Sequence, residues 1–347
     1  MKRLALPIIL ILVLVLVTAF GCVQDENVPE TPPGGGQTNV GGETPSGEQD
    51  ADGEQDADDD QDANQGGDGG EETPAPEPVE PVQPDDYCDR AEGVEYGTVQ
   101  EIEYYSEVAG GKKHATVLLP VDMAEGKRYP VLYLLHGLMC DESTWFDLCS
   151  AAEIVRNAQL FEGAPEMIVV GVNSIVNEDE VAPPMLSEEV SEVYDKTGEE
   201  IVEVLKPYID EHYPTLTGKW DTAVAGFSMG GREALLSAFT YQDTFGYIGA
   251  FSSASFNRNI VSVGVQDPVL DEFVVEPEHG GFRYILLNIG RLDFMTAGVT
   301  QRYDEMMTES GIEHEFYLTN GGHDFSTWSD GLHTFVLNIF GAGDSAD

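Results

Sequence analysis

The sequence predicts an α/β domain built on a mostly parallel sheet with helices on both faces. Two observations carry that expectation. Short apolar runs alternate with longer amphipathic stretches from residue 97 onward. Residues 87–347 also form a block of about 260 residues, enough for one large domain with a sizeable core.

The elements follow in order. Val99 to Tyr105 and His114 to Leu119 read as an opening antiparallel pair, turned at Gly110-Gly111. Tyr129 to Leu135 is a buried strand that stops at His136-Gly137, and Met167 to Val172 is another, ending at Asn173. Glu189 to Tyr213 has the apolar spacing of a long helix, interrupted at Gly198 and Pro207. Thr222 to Ala225 is a short strand and Met229 to Phe239 the helix after it. Tyr247 to Phe251 and Tyr284 to Ile289 are later strands, separated by an irregular stretch over about 256–282. Thr300 to Ser310 reads as helix, Glu313 to Leu318 as the last strand and Leu332 to Phe340 as the closing helix.

Two N-terminal segments stand outside this domain. Residues 1–21 carry Lys2-Arg3, then the uncharged apolar run Leu4 to Phe20, and end in Gly21 before Cys22, the pattern of an export signal. Thr18-Ala19-Phe20-Gly21-Cys22 resembles a bacterial lipobox. The expectation is cleavage before Cys22, with lipid on its sulfur tethering an exported protein to a membrane; an uncleaved anchor is the alternative. Residues 22–86 hold 20 acidic side chains, no Lys or Arg, and no aromatic residue. Such a segment cannot bury enough apolar surface to offset its ordering entropy, so a disordered linker is expected, spanning ~40–48 Å as a flexible coil. Asp60, Asp62, Asn64 and Glu71 fall at calcium-loop positions, but Gln65 replaces the glycine that the loop's sharp turn needs.

The remaining residues carry 44 acidic and 14 basic side chains of the chain's 64 and 16, a formal charge of −30. A field of that sign repels nucleic acid and anionic lipid, so no nucleic-acid partner is expected. No CxxC, HExxH or close histidine cluster occurs, which argues against a metal or another cofactor. A monomer is expected. Export makes one disulfide plausible among Cys88, Cys140 and Cys149, with Cys140 and Cys149 nearest in sequence.

The chemistry centres on Gly226-Phe227-Ser228-Met229-Gly230-Gly231, a serine between glycines where a strand gives way to a helix. A serine there sits on a sharp turn with its hydroxyl exposed above the sheet. A serine hydroxyl needs a base, usually histidine, and the histidine needs a carboxylate to fix its tautomer. His323 follows the last predicted strand in Asn320-Gly321-Gly322-His323-Asp324-Phe325. Asp293 follows the strand ending Gly290-Arg291-Leu292 and is the candidate acid, with Asp267 and Asp271 as fallbacks. Oxyanion donors are expected from the peptide N–H groups of Met229 and Leu138.

Leu135-His136-Gly137, Trp145, Gly-Phe-Ser-Met-Gly-Gly and Gly-Gly-His-Asp-Phe with Trp328 together resemble the putative-esterase family of α/β-hydrolases. Within that family they are most similar to carbohydrate esterase family one, the feruloyl and acetylxylan esterases. The resemblance runs from about residue 97 to 340. It implies an α/β-hydrolase fold, Ser228 as nucleophile, His323 as base, Asp293 as acid and an acyl-enzyme. Trp145 and Trp328 are candidates to line the substrate. Leu138-Met139-Cys140-Asp141 departs from the glycine-rich loop frequent in relatives, at the place that shapes the acyl pocket. The implied activity is removal of feruloyl or acetyl groups from plant cell-wall polysaccharide such as xylan. The alternatives are an exported siderophore esterase, a mycolyl-type acyltransferase, or a non-catalytic carbohydrate-binding protein on the same scaffold.

Overall fold

The computed structural model describes residues 83–121, 123–184, 187, 189–255, 270 and 272–341. The expectations for the export signal, Cys22, the linker up to residue 82, the Asp60–Glu71 loop, Asp267 and Asp271 fall outside these residues.

Eight strands form one sheet: β1 (Thr98–Ser106), β2 (Gly111–Leu119), β3 (Val131–Leu135), β4 (Ile168–Val172), β5 (Thr222–Phe227), β6 (Tyr247–Phe251), β7 (Tyr284–Gly290) and β8 (Glu315–Thr319). Their spatial order is β1-β2-β4-β3-β5-β6-β7-β8. β1 and β2 pair antiparallel through the expected turn, where Gly110 has φ of 80° and residue 111 faces residue 106. β2 meets β4 antiparallel, and every later pairing is parallel. The parallel centre follows from composition: β3, β4, β5 and β6 are buried at every residue, as strands covered on both faces must be.

β3 has β4 on one side and β5 on the other, so the strand order reverses there. In an open α/β sheet, the crevice beyond the carboxyl ends of the strands at such a reversal is where ligands bind. The segments after β3, β5, β7 and β8 carry Leu138, Ser228, Asp293 and His323.

The helices are α1 (Thr144–Asp147), α2 (Ala151–Asn157), α3 (Glu189–Tyr194), α4 (Thr197–Glu200), α5 (Lys206–His212), α6 (Met229–Thr240), α7 (Ala297–Glu309) and α8 (Phe325–Asn338). Among the described residues none is long and apolar enough to cross a membrane. Two depart from the expected helices. The long helix breaks at Asp195-Lys196 rather than at Gly198 or Pro207. Gly198 instead lets the chain lie against α6, where a Cβ would sit 2.9 Å from Ser237 Oγ. Pro207 lies just after a π-helical turn over Ile201–Leu205 and within the helical run 197–212 without breaking it. The closing helix begins seven residues early, because the Asp324 carboxylate accepts from the Thr327 N–H at 3.1 Å and caps it.

No disulfide joins Cys140 to Cys149: all three described cysteines are thiols. Cys149 is buried, and burial first of all pushes its thiol well above the usual range.

Candidate active site

β5 runs into α6 through Ser228, whose backbone lies at φ 54°, ψ −115°. That conformation is costly for a residue with a Cβ and persists only where the surroundings impose it. Here they do. The Ser228 N–H donates to the Phe251 carbonyl at 2.8 Å, while its own carbonyl accepts from Ala254 N–H at 2.9 Å. Gly230 allows the close crossing beneath, since a Cβ there would collide with the Leu135 carbonyl and lie 2.7 Å from the His136 oxygen.

Three side chains that are far apart in sequence meet above this turn. His323 Nε2 stands 3.0 Å from Ser228 Oγ, and His323 Nδ1 stands 2.9 Å from Asp293 Oδ2. An ionised carboxylate can only accept, so Nδ1 carries the ring proton and Nε2 is left to accept from the serine hydroxyl. All three residues are buried, with Ser228 and His323 at 8% and 9% exposure and Asp293 at 2%. Asp293 is held from both ends. Its Oδ1 accepts from the Met295 and Thr296 N–H groups, and its Oδ2 accepts from the Thr296 hydroxyl, each at 2.9 Å. Burial raises its pKa, but the His323 hydrogen bond and charge, with the Thr296 N–H, outweigh that and bring it to about 2. Asp293 thus serves both the turn before α7 and the histidine. The loops after β7 and β8 are joined by Leu292 N–H to the Gly321 carbonyl at 2.9 Å, which ties the loop of Asp293 to that of His323.

The other histidines are elsewhere engaged. His114 lies against Glu180, His314 against Asp304 and His333 against Glu162, while His212 Nδ1 approaches the Tyr208 carbonyl at 2.7 Å and His279 lies 3.9 Å from Glu276. His136 is more instructive. It is fully buried; Nε2 accepts from the Ser174 N–H at 3.0 Å, and Nδ1 donates to the Gly137 carbonyl at 2.7 Å. Burial pushes its pKa down to about 4, so the ring is neutral and anchors the β3 loop instead of acting as a base. Gly137 brings that loop close to Ser228, since a Cβ there would lie 2.6 Å from the Phe227 ring and 3.4 Å from Ser228 Cβ. Leu138 follows directly, on the sheet-end side where an oxyanion donor is needed. Met229, the other expected donor, opens α6 immediately after the serine.

Trp145 and Trp328 do not line an open site; each is 1% exposed. Trp145 donates its indole N–H to the Leu135 carbonyl at 3.0 Å and packs edge-on against Phe227. Trp328 stacks on Phe227 at 4.0 Å and turns its plane perpendicular to the His323 ring at 5.2 Å. Both pack beneath the segments that carry Ser228 and His323. The apolar groups that do face solvent near the site are Met139 on one side and Leu292, Phe294 and Met295 on the other, with Phe294 89% exposed. Sequence reasoning also passed over Thr296, for which the spacing Asp293-Phe-Met-Thr296 was the available signal.

Comparison with known proteins identifies the family. The model of the family described as "Putative esterase" matches residues 106–339. The endo-1,4-beta-xylanase/feruloyl esterase of Xylanibacter ruminicola is 26% identical over 266 residues, covering 75% of this chain and 34% of that protein. The iron(III) salmochelin esterase of Escherichia coli is 26% identical over 204 residues, 55% of this chain and 47% of that protein. The chain thus spans a third to about half the length of these curated relatives. The solved CE1 ferulic acid esterase of Anaeromyces mucronatus is 33% identical, covers 76% of this chain and 97% of that one, and superposes with a TM-score of 0.68; its complex with ferulic acid gives 0.64. The chain therefore belongs to the putative-esterase family, serine carboxylic-ester hydrolases of the α/β-hydrolase fold, and is most like the CE1 feruloyl esterases.

Proposed function

We propose that this chain cleaves feruloyl or acetyl esters of plant cell-wall polysaccharide, xylan among them, through an acyl-enzyme on Ser228. The observation that carries this reading is the hydrogen-bonded line from Asp293 through His323 to Ser228 Oγ. As Oγ attacks the ester carbonyl, His323 Nε2 takes its proton and Asp293 stabilises the imidazolium. The oxyanion that develops accepts from the Met229 and Leu138 N–H groups, each donor lowering the barrier by about 3 kcal/mol. The imidazolium then protonates the departing sugar alcohol. Water adds to the acyl group by the same route, releasing the carboxylic acid and returning the proton to Oγ. The esterases of Xylanibacter and Anaeromyces support the feruloyl assignment by analogy.

In this reading the protein works outside the cell as a monomer, held to a membrane by lipid on Cys22, with the acidic segment as tether. A siderophore ester is the second reading, favoured only by the similarity to salmochelin esterase.

Turnover of methyl ferulate, an aryl acetate and acetylated xylan by wild type and Ser228→Ala tests the assignment. Wild type should release ferulate or acetate, and the variant should be inactive. Inertness of the wild type on all three esters would refute it; aryl-acetate cleavage without ferulate release would make it an acetyl esterase. Cys22→Ser should abolish incorporation of labelled lipid, and undiminished labelling would remove the anchor.

A further inference from the structure

We propose that Arg232 is a positioning residue for ester cleavage, a buried guanidinium that fixes both chain segments flanking Ser228 against α6. The proposal rests on Ser228 being the nucleophile. Arg232 lies one helical turn beyond Ser228, and its peptide N–H donates to the Ser228 carbonyl at 3.2 Å. Its side chain has no exposure to solvent. The fork of the guanidinium points three ways: Nε donates to the Ser255 carbonyl at 3.0 Å, Nη2 meets Asp195 Oδ1 at 2.7 Å, and Nη1 meets the Glu233 carboxylate.

Two of those partners lie on different walls of the site. Ser255 lies in the run that leaves β6, in which Ala254 N–H donates to the Ser228 carbonyl and Ala254 oxygen accepts from the Tyr303 hydroxyl at 2.9 Å. Asp195 sits at the end of α3, whose Val190 and Tyr194 pack with Ile175 on Met229 and Leu138. Met229 and Leu138 are the residues whose peptides are assigned to the oxyanion. The same wall is pinned at its start by Lys113, which is also buried and donates to the carbonyls of Asn173 and Ile175 at 2.9 and 2.8 Å. Arg232 touches no reacting atom, yet it bears on the backbone around the nucleophile and on the packing behind both oxyanion donors.

Stability alone is a poor reason for this arrangement. Buried ion pairs can often be replaced by packed apolar residues without loss, whereas a guanidinium supplies directed, rigid contacts that neither methionine nor lysine reproduces. Burial pushes the Glu233 carboxyl up, and the Arg232 charge beside it pulls the other way.

The test compares Arg232→Met, Arg232→Lys and Asp195→Asn with wild type on an aryl acetate. Three quantities are measured: kcat per site titrated with a fluorophosphonate, KM, and affinity for a tetrahedral boronate. Displacement of the oxyanion donors should lower kcat about 100-fold in Arg232→Met, with KM changed less than about threefold. Boronate affinity should fall with kcat, because it reports the transition-state geometry. Arg232→Lys should not restore the rate, and Asp195→Asn should lose about tenfold by the same geometric argument. A folded Arg232→Met with wild-type kcat per titrated site, or unchanged boronate affinity, would overturn the proposal. If Arg232→Met does not fold, unchanged kcat and boronate affinity in Asp195→Asn would overturn it equally. Full activity of Ser228→Ala would instead remove the nucleophile on which the proposal stands.

Discussion

Replacing Asp293 by Asn tests the site at its least visible member. The side chain is fully enclosed, so the change cannot act by touching substrate. Oδ1 faces two peptide N–H groups, from Met295 and Thr296, and only an oxygen satisfies both. The new amide must therefore place its NH2 at the Oδ2 position, 2.9 Å from His323 Nδ1. Two donors cannot face each other, so Nδ1 gives up its proton and Nε2 carries it. Nε2 then points a hydrogen at Ser228 Oγ and can no longer accept one. Loss of the correct tautomer in a Ser-His-Asp site costs about 10⁴ in kcat. That factor corresponds to about 5 kcal/mol of barrier. Steady-state kinetics on methyl ferulate should show this drop with KM nearly unchanged. Activity within about tenfold of wild type would refute the tautomer argument, and would send the search for the acid to Asp267 or Asp271.

Other outcomes follow from the same geometry. Ser228→Gly should unfold at a higher temperature than Ser228→Ala, by about 1 kcal/mol, because glycine removes strain of roughly 1–3 kcal/mol at φ 54° and gives back part of it in backbone entropy; equal melting temperatures would show the elbow to be unstrained. Trp145→Phe strands the Leu135 carbonyl and should cost about 1–3 kcal/mol by denaturant titration while leaving KM for methyl ferulate unchanged. A large KM effect would return Trp145 to the substrate. His136, with its pKa lowered from 6.5 to about 4, stays neutral in the fold while the unfolded chain takes up a proton. Its contribution is present above pH 6.5 and is lost as pH falls through about 4, amounting to about 3 kcal/mol. His136→Gln should flatten stability across that window, and an unchanged pH dependence would remove His136 as its source.

Local pattern made the centre of this molecule legible. The buried parallel strands announce themselves as short, nearly all-apolar runs, and the serine elbow needs glycines at fixed offsets because the backbone crosses Leu135 and His136 too closely for a Cβ. His323 and Asp293 could be placed because each follows a recognisable strand within a few residues. Asp324 shows where local reading falls short. Its capping of α8 depends on the Thr327 N–H turning toward it, which the motif around His323 does not reveal. The break at Asp195 likewise has no local breaker to mark it; the ion pair with Arg232 joins elements that adjacency in sequence does not connect.

By itself, the sequence determined the fold class, the chain order of the serine, aspartate and histidine that meet in the structure, and the acidic character of the chain. These depend on periodicity, composition and steric needs within a few residues. Only the tertiary structure decided that Trp145 and Trp328 are floor rather than lining, that His136 anchors a loop, and that Cys140 and Cys149 are not bridged. It also placed Arg232 between the Ser255 carbonyl and Asp195. Burial and hydrogen-bond partners depend on which distant segments are brought side by side, and no window of the chain contains both sides of such a contact.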